Sequence, residues 1–440
     1  MSYTILSARV GRGLSACIAA LSLAACSRQE LLEVNTPDQI TPEAAASPSG
    51  AAALRVSALG NFAYLYSGDN AGSGVGLNIA VGLLTDEMTT SRGGTEHMDS
   101  RAVNENTFPS TVWTLVGQAQ TQLIRAQKSL EKYAAAGATK QTQISQLQSL
   151  EAFTYVLTGE IFCNGVPIGD ANDAEPKSVN MTNAQLFAKA VTTFDAALTS
   201  ATTTDAVSRN LAYIGKARAL VDQKQYSAAA ALVTAVPTDF VYNIQHSRTT
   251  IVNDVYDWMV ATRNFGVVDR EGGNGLNYLS ANDPRIKFGT TAPGQDGSPT
   301  ISPTKFPQPD SPVPLATGIE ARMIEAEAAL NLPTPDINAF LGYLNAARAT
   351  VAGLDPLTDP GSKTAREDLL FRERAFWFWL TAHRLGDMRR LIRQYGRGAE
   401  SVFPTGGYHK GGIYGSDVNL IPSSAERNNP DFKGCADRNA

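Results

Sequence analysis

Apolar residues recur at three- and four-residue spacing along most of this chain, and stretches rich in glycine and proline interrupt them. That alternation of helical faces and punctuation is the main structural signal. The spacing predicts a first helix over Ser49–Leu65. Residues 67–110 then lose the period: Gly68, Gly72, Gly74, Gly76, Gly93, Gly94 and Pro109 mark a long loop around a short segment near Leu83. Helical spacing returns over Thr111–Ala135 and Gln141–Phe162. In the second, Leu147, Leu150, Tyr155, Leu157 and Ile161 are core candidates, and Asn164-Gly165-Val166-Pro167 ends the helix. Thr182 suits the N-cap of a helix running to Ser200, because its hydroxyl accepts from a free first-turn N–H. Ala206–Asp222 and Tyr226–Ala235 flank a turn at Gln223–Gln225, and Pro237 closes the second of them.

That last pair resembles a tetratricopeptide unit. Ala217 and Ala219 supply small residues where two helices touch, and Tyr226, Ala229 and Ala230 follow the tight turn. Several hairpins in a row bury a face that none buries alone. Residues 238–314 change character, with Gly272-Gly273-Asn274-Gly275 and a proline cluster from Pro303 to Pro314. A structureless loop of that length is unusual in a compact domain, so an irregular subdomain with short strands is expected. Helices resume at Thr317–Asn331, Pro335–Val351 and Lys363–Tyr395, where Phe376, Trp377, Phe378 and Trp379 imply a helix buried on most sides. The fold class expected is mostly α: one domain over 49–440, with a helical-hairpin scaffold at 49–237 and 315–395. The irregular subdomain covers 238–314, and an irregular C-terminal segment covers 396–440.

The first residues carry a different pattern. Arg9 and Arg12 precede an apolar run from Leu14 to Leu23 that is too short to span a bilayer. Small residues follow, which makes residues 1–25 an export signal. Leu23-Ala24-Ala25-Cys26 resembles the bacterial lipobox. The resemblance implies cleavage before Cys26 and acylation of that residue, with 26–48 as a lipidated tether containing Pro37, Pro42 and Pro48. Several acyl chains hold a protein stably at a membrane where one does not. Ser27 after the cysteine favours the outer membrane in many Gram-negative bacteria.

Composition fits a globular body with a real core: 440 residues, 43 % hydrophobic and 18 % charged. The net charge is −5, and removal of the signal takes away two arginines and no acid. An acidic balance without a basic cluster argues against nucleic acid as a partner and against electrostatic binding to anionic lipid. Cys163 and Cys435 remain after Cys17 and Cys26 are accounted for. An oxidising compartment permits a disulfide between them, which would staple the C-terminal tail to the helical core; two separate thiols are the other reading. No phosphate loop and no Gly-x-Ser-x-Gly elbow is present. His97, His246, His383 and His409 lack zinc spacing, and no calcium-loop motif is present, so no cofactor is expected. Asp86 and Glu87 are sequence neighbours and ill placed to face each other across a glycosidic bond, so no catalytic residue is assigned.

Taken in order, the segments resemble the SusD/RagB family of outer-membrane nutrient-binding lipoproteins. Leu31-Leu32-Glu33-Val34-Asn35 with Pro37 and Ile40-Thr41-Pro42 is similar to the family's opening. Asp86-Glu87-Met88 resembles its short acidic motif, and Glu151–Tyr155 running to Gly165-Val166-Pro167 its helix with a Gly-x-Pro turn. Asn282-Asp283-Pro284-Arg285, Ile324-Glu325-Ala326-Glu327-Ala328 and Leu344-Asn345-x-x-Arg348 follow in the family's order. Glu373-Arg374, His383-Arg384-Leu385-Gly386-Asp387-Met388-Arg389-Arg390, and Asn419-Leu420-Ile421-Pro422 with Glu426 and Asn429-Pro430 complete the resemblance. Trp377, Thr381 and Ala382 depart from the usual residues, which marks a divergent branch. Arg384, Asp387, Arg389 and Arg390 read as structural ion-pair partners.

The resemblance implies a SusD-like α-α superhelix with a ligand-facing irregular subdomain. It also implies a SusC-like TonB-dependent outer-membrane transporter as partner, and an oligosaccharide or peptide ligand that is captured and passed on rather than cleaved. Ligand contacts are expected on loops held by a rigid scaffold. Arg92, Glu96, Asp99 and Arg101 offer them in one loop, and Trp258, Arg263, Asn264, Asn274 and Tyr278 in another, with Trp258 as the expected aromatic platform. A helical-repeat protein-interaction scaffold in envelope assembly is the alternative function.

Overall fold

The computed structural model describes residues 42–69, 74–103, 108–170 and 177–435; Cys26 and the family-like opening lie outside them. A short helix at Pro42–Ala45 ends the N-terminal unit, and the second unit runs from Ala46 onward.

The scaffold of the second unit is built from α1 (Pro48–Ser67), α4 (Phe108–Tyr133), α5 (Ala138–Ile161), α6 (Asn183–Ser200), α7 (Ala206–Asp222), α8 (Tyr226–Val233), α9 (Gly318–Leu330) and α10 (Ile337–Arg348). Each packs against the next in that order, as four successive tetratricopeptide-like hairpins do. The starts are chemically marked. Ser47 accepts from Gly50 N–H, Asp205 from Ser208 N–H, Thr317 from Glu320 N–H and Asp336 from Ala339 N–H, and Thr182 forms a capping box with Gln185. Close approach of the middle hairpins depends on a missing side chain. A Cβ on Gly215 of α7 would stand 2.2 Å from the Phe194 ring of α6.

Two insertions interrupt the hairpin series. The first, between α1 and α4, holds β1 (Gly68–Asp69), α2 (Leu77–Leu84), β2 (Met88–Thr90) and α3 (Glu96–Asp99). The second, between α8 and α9, holds β5 (Val241–Ile244), β6 (Val252–Asn253), a π-helical turn at Tyr256–Ala261, β7 (Phe265–Val267), β8 (Phe288–Pro293), β9 (Pro299–Pro303) and β10 (Val313–Thr317). They knit together by antiparallel pairing, Gly68 opposite Asn253 in β1–β6 and Thr90 opposite Phe265 in β2–β7. The subdomain therefore starts from both insertions, not from residues 238–314 alone. One apolar cluster runs through scaffold and insertions, including Phe62, Leu83, Trp258, Phe265, Tyr278 and Trp379.

The helix expected over Lys363–Tyr395 is two helices, α11 (Lys363–Trp377) and α12 (Arg384–Arg393). Between them Leu380 and Ala382 adopt left-handed φ of 57° and 58°. Non-glycine residues rarely hold that conformation. Tertiary contacts hold the break: Glu87 accepts from Leu380 N–H at 3.0 Å, the Tyr66 hydroxyl donates to the Thr381 carbonyl at 2.8 Å, and Lys305 donates to the Trp379 carbonyl. Surroundings of this kind over-determine a backbone that would not be adopted in isolation. β3 (Val166–Asp170) and β4 (Lys177–Met181) form a hairpin after α5. The C-terminal segment returns to α4 and α5. Trp113 Nε1 donates to Glu426 at 2.7 Å, and Cys163 and Cys435 form a disulfide with Cα atoms 5.8 Å apart.

Candidate ligand face on the paired insertions

The β2–β7 ladder does not stop at Thr90. Ser91 N–H donates to the Asn264 carbonyl at 2.8 Å, and the Ser91 hydroxyl donates to the Arg263 carbonyl. Asn264 N–H donates in turn to the Trp258 carbonyl at 2.8 Å. Three of the residues expected at a ligand site, Arg92, Arg263 and Trp258, thus meet where two segments distant in sequence are stitched together. The Arg92 guanidinium carbon lies 4.7 Å from the centre of the Trp258 ring, a cation–π stack. Trp258 also packs on Phe265 with ring centres 5.6 Å apart.

Trp258 is only 4 % exposed. It is a shelf that holds Arg92, not an open platform for a sugar ring. Its buried Nε1 has no hydrogen-bond partner among the described residues. Arg263 is exposed and sits at φ 52°. Glu96 is partly buried and accepts from Gly94 N–H at 2.7 Å, closing its own turn. Asn264 is buried and acts through its backbone in the ladder.

Other expected contacts lie inside the fold. Tyr278 is fully buried, with ring centres 5.3 Å from Phe376 and 6.3 Å from Trp379, so it presents no surface to a solute. Asp99 is buried and accepts from Thr90 N–H, the Thr89 hydroxyl and the Tyr408 hydroxyl at 2.9, 2.7 and 2.9 Å. Burial pushes its pKa up to about 6. Glu271 takes the Tyr414 hydroxyl, and burial, then the charge of Asp99, pushes its pKa up to about 8. Arg101 is enclosed and holds Glu400 and the carbonyls of Pro404 and Asp417. Asn274 donates to the Glu400 and Phe403 carbonyls. These residues fasten the C-terminal loop beneath the face. Sequence reasoning missed Tyr408 and Tyr414 because their role depends on acids 309 and 143 residues away.

A cavity of about 440 Å³ between α1 and the second insertion is lined by Leu59, Ala63, Tyr242 and Ile251, and another of about 440 Å³ on the scaffold by Glu151, Tyr155, Ile168 and Lys189. No group of three or more metal-ligating side chains occurs among the described residues, and no helix among them is long and apolar enough to cross a membrane.

No protein-family model matches the chain, and no curated protein does. Solved structures do. Surface glycan-binding protein A from Bacteroides uniformis matches with a TM-score of 0.68 at 15 % identity, over 88 % of this chain and 99 % of its own. A SusD superfamily protein from Parabacteroides distasonis gives 0.67 at 15 %, covering 89 % and 98 %. A SusD-like carbohydrate binding protein from Bacteroides fragilis gives 0.63 at 13 %, covering 90 % and 94 %. The chain has the SusD-like fold.

Within the SusD-like fold the motif residues hold scaffold and insertions together. Asp86 accepts from Arg384 through both oxygens, at 2.6 and 2.7 Å, and from Leu276 N–H at 2.9 Å. Glu87 is buried, with one oxygen on Leu380 N–H and the other unpartnered among the described residues, and burial pushes its pKa up to about 8. Arg285 bridges Asp283 and Glu373, and Arg348 reaches the same Glu373 at 2.8 Å. Asp387 takes Arg374 and Arg390, and Arg390 also takes Glu327. Arg389 Nη1 donates to the Glu160 and Phe162 carbonyls at the end of α5. Arg218 holds Glu160 and faces Glu320 and His383, which links α5, α7 and α9. The motifs carry architecture. Asp86 and Glu87 in particular are engaged in this network and do not face each other across open space.

Proposed function

We propose that this chain is a carbohydrate-binding protein of the cell envelope, which captures oligosaccharide on the face built by its two insertions. It is non-enzymatic, is tethered through acylated Cys26, and delivers its ligand to a TonB-dependent outer-membrane transporter. The carrying observation is Arg92 stacked on the Trp258 shelf beside the segment of exposed Arg263, which Ser91 ties down, on a fold whose solved neighbours include a surface glycan-binding protein. Oligosaccharides are recognised through hydroxyl and acidic oxygens by donors held rigidly, and the paired strands supply that rigidity.

Two experiments test this. Affinity electrophoresis of the mature chain through gels containing neutral and acidic polysaccharides should show retention by at least one. Gentle co-purification from native outer membranes should recover a stoichiometric barrel transporter. Retention by none, with envelope-assembly proteins recovered in place of a barrel, would replace this reading with the protein-interaction scaffold.

A further inference from the structure

Among the described residues no carboxylate lies within ion-pairing distance of Arg92 or Arg263, and neither guanidinium has a hydrogen-bond partner, while most arginines of the motif network are paired. The neighbouring acids are otherwise engaged. Glu96 accepts from Gly94 N–H, and Asp99 is buried under three donors. Asp296, whose backbone N–H donates to the Ser91 carbonyl, pairs with Lys410 and takes the Ser298 hydroxyl. Asp257, next to Trp258, has a partner of its own. Lys410 and its pair therefore add little net charge, and Arg92 and Arg263, carried on two segments that Ser91 joins, have no ion-pair partner among the described residues.

We infer that the group recognised at this face is anionic: the carboxylate of a uronic acid or a sulfate ester on the glycan. The inference rests on the carbohydrate-binding reading and narrows it. A guanidinium presents parallel N–H groups that match both anions bidentately, and a lysine does not. Stacking on Trp258 fixes the plane of the Arg92 fork before the ligand arrives, which lowers the ordering cost of binding. The hydrogen bonds from Ser91 to the Asn264 and Arg263 carbonyls bring the main chain of Arg263 against the segment that carries Arg92. The chain as a whole carries −5, so a polyanion is repelled at long range and is retained only through a local match.

The test runs the mature chain through the same gels, with polygalacturonate against its methyl ester and chondroitin sulfate against its desulfated form, alongside neutral glucans and mannans. The expected result, in at least one matched pair, is retention by the polymer bearing the recognised anion at least tenfold stronger than by the counterpart from which that anion has been masked or removed. The Arg92→Gln, Arg263→Gln double variant should bring that polymer down to the level of its counterpart, and Arg92→Lys should fall between. Arg125→Gln, an exposed change on α4, should leave retention unchanged. The two matched pairs separate carboxylate from sulfate. Retention by neutral polymers alone, or acidic retention insensitive to the double variant, overturns the inference and leaves carbohydrate binding standing. Retention by nothing removes both.

Discussion

Asp86→Asn is the sharpest test of how the ligand face is held. Asp86 meets Arg384 through two hydrogen bonds of 2.6 and 2.7 Å, and both side chains are buried. The same carboxylate takes Leu276 N–H at 2.9 Å. Asparagine offers one acceptor oxygen for three donors and no charge. The next acid, Glu87, has its pKa pushed up to about 8 by burial, so it ionises reluctantly beside Arg384. Leaving a buried charge unpaired costs about 3–5 kcal/mol. With an unfolding entropy of ~2.1 cal/mol/K per residue over roughly 390 residues, that is a fall in Tm of about 4–6 °C. Differential scanning calorimetry at pH 7 reads it directly. A double variant, Asp86→Leu with Arg384→Met, removes both charges and strands only Leu276 N–H, a cost of about 1–3 kcal/mol. It should melt above the single variant. A Tm loss under about 1 °C for Asp86→Asn, or a double variant less stable than the single, would refute the reasoning.

Arg389→Met should lower Tm by about 2–4 °C, because it strips the donor from the carbonyls at the end of α5; an unchanged melting curve would remove that role. The Cys163–Cys435 bond joins residues 272 apart in sequence. Its reduction should destabilise by about 2–5 kcal/mol in urea titrations, and coincident curves with and without reductant would sink the claim. Glu271→Gln should act through pH. The folded pKa of about 8 lies above the unfolded value near 4.5, so the folded state binds more protons and wild-type stability falls as pH rises between those values. The variant should therefore gain on wild type from pH 5 to pH 8.5, and a difference in Tm that does not move with pH would refute it. Trp258→Phe should keep the fold but weaken acidic-glycan retention several-fold by loosening Arg92, whereas retention equal to wild type would free Trp258 of any positioning role.

The scaffold is legible in the sequence because its signals are local. Thr182 caps the helix expected after it, and Ala206–Asp222 has the bounds expected from spacing alone, while the helix from Tyr226 ends at Val233, two residues short of the expected Ala235. The break between α11 and α12 is not legible, because nothing in Phe378–His383 is a glycine or proline. Leu380 and Ala382 hold left-handed backbone through the side chains of Glu87, Lys305 and Tyr66, which come from distant segments. The candidate site is half legible. Arg92, Trp258 and Arg263 do come together, since both loops carry the strands that pair. Tyr278 and Asp99 do not reach the surface. An aromatic or an acid in a loop has the same local sequence whether it faces water or the Phe376 and Trp379 rings, and only the packing of three segments decides.

The placement of the buried ion pairs suggests how this architecture accommodates different ligands. Asp86–Arg384 and Arg285–Glu373 both join an insertion to a later segment of the chain. A buried pair adds little net stability over a well-packed apolar contact, but a wrong partner strands a charge at a cost of several kcal/mol. Such pairs therefore fix which segments meet more than how strongly they hold. Once β1–β6 and β2–β7 are clamped in register, the residues just past them, Arg92 and Arg263, change without disturbing the clamp. Ligand chemistry then resides in a few positions at the strand ends, and architecture in the motifs. Asp86→Asn should on that basis weaken glycan retention along with stability, while Arg92→Gln and Arg263→Gln should weaken retention and leave the melting temperature within about 1 °C of wild type.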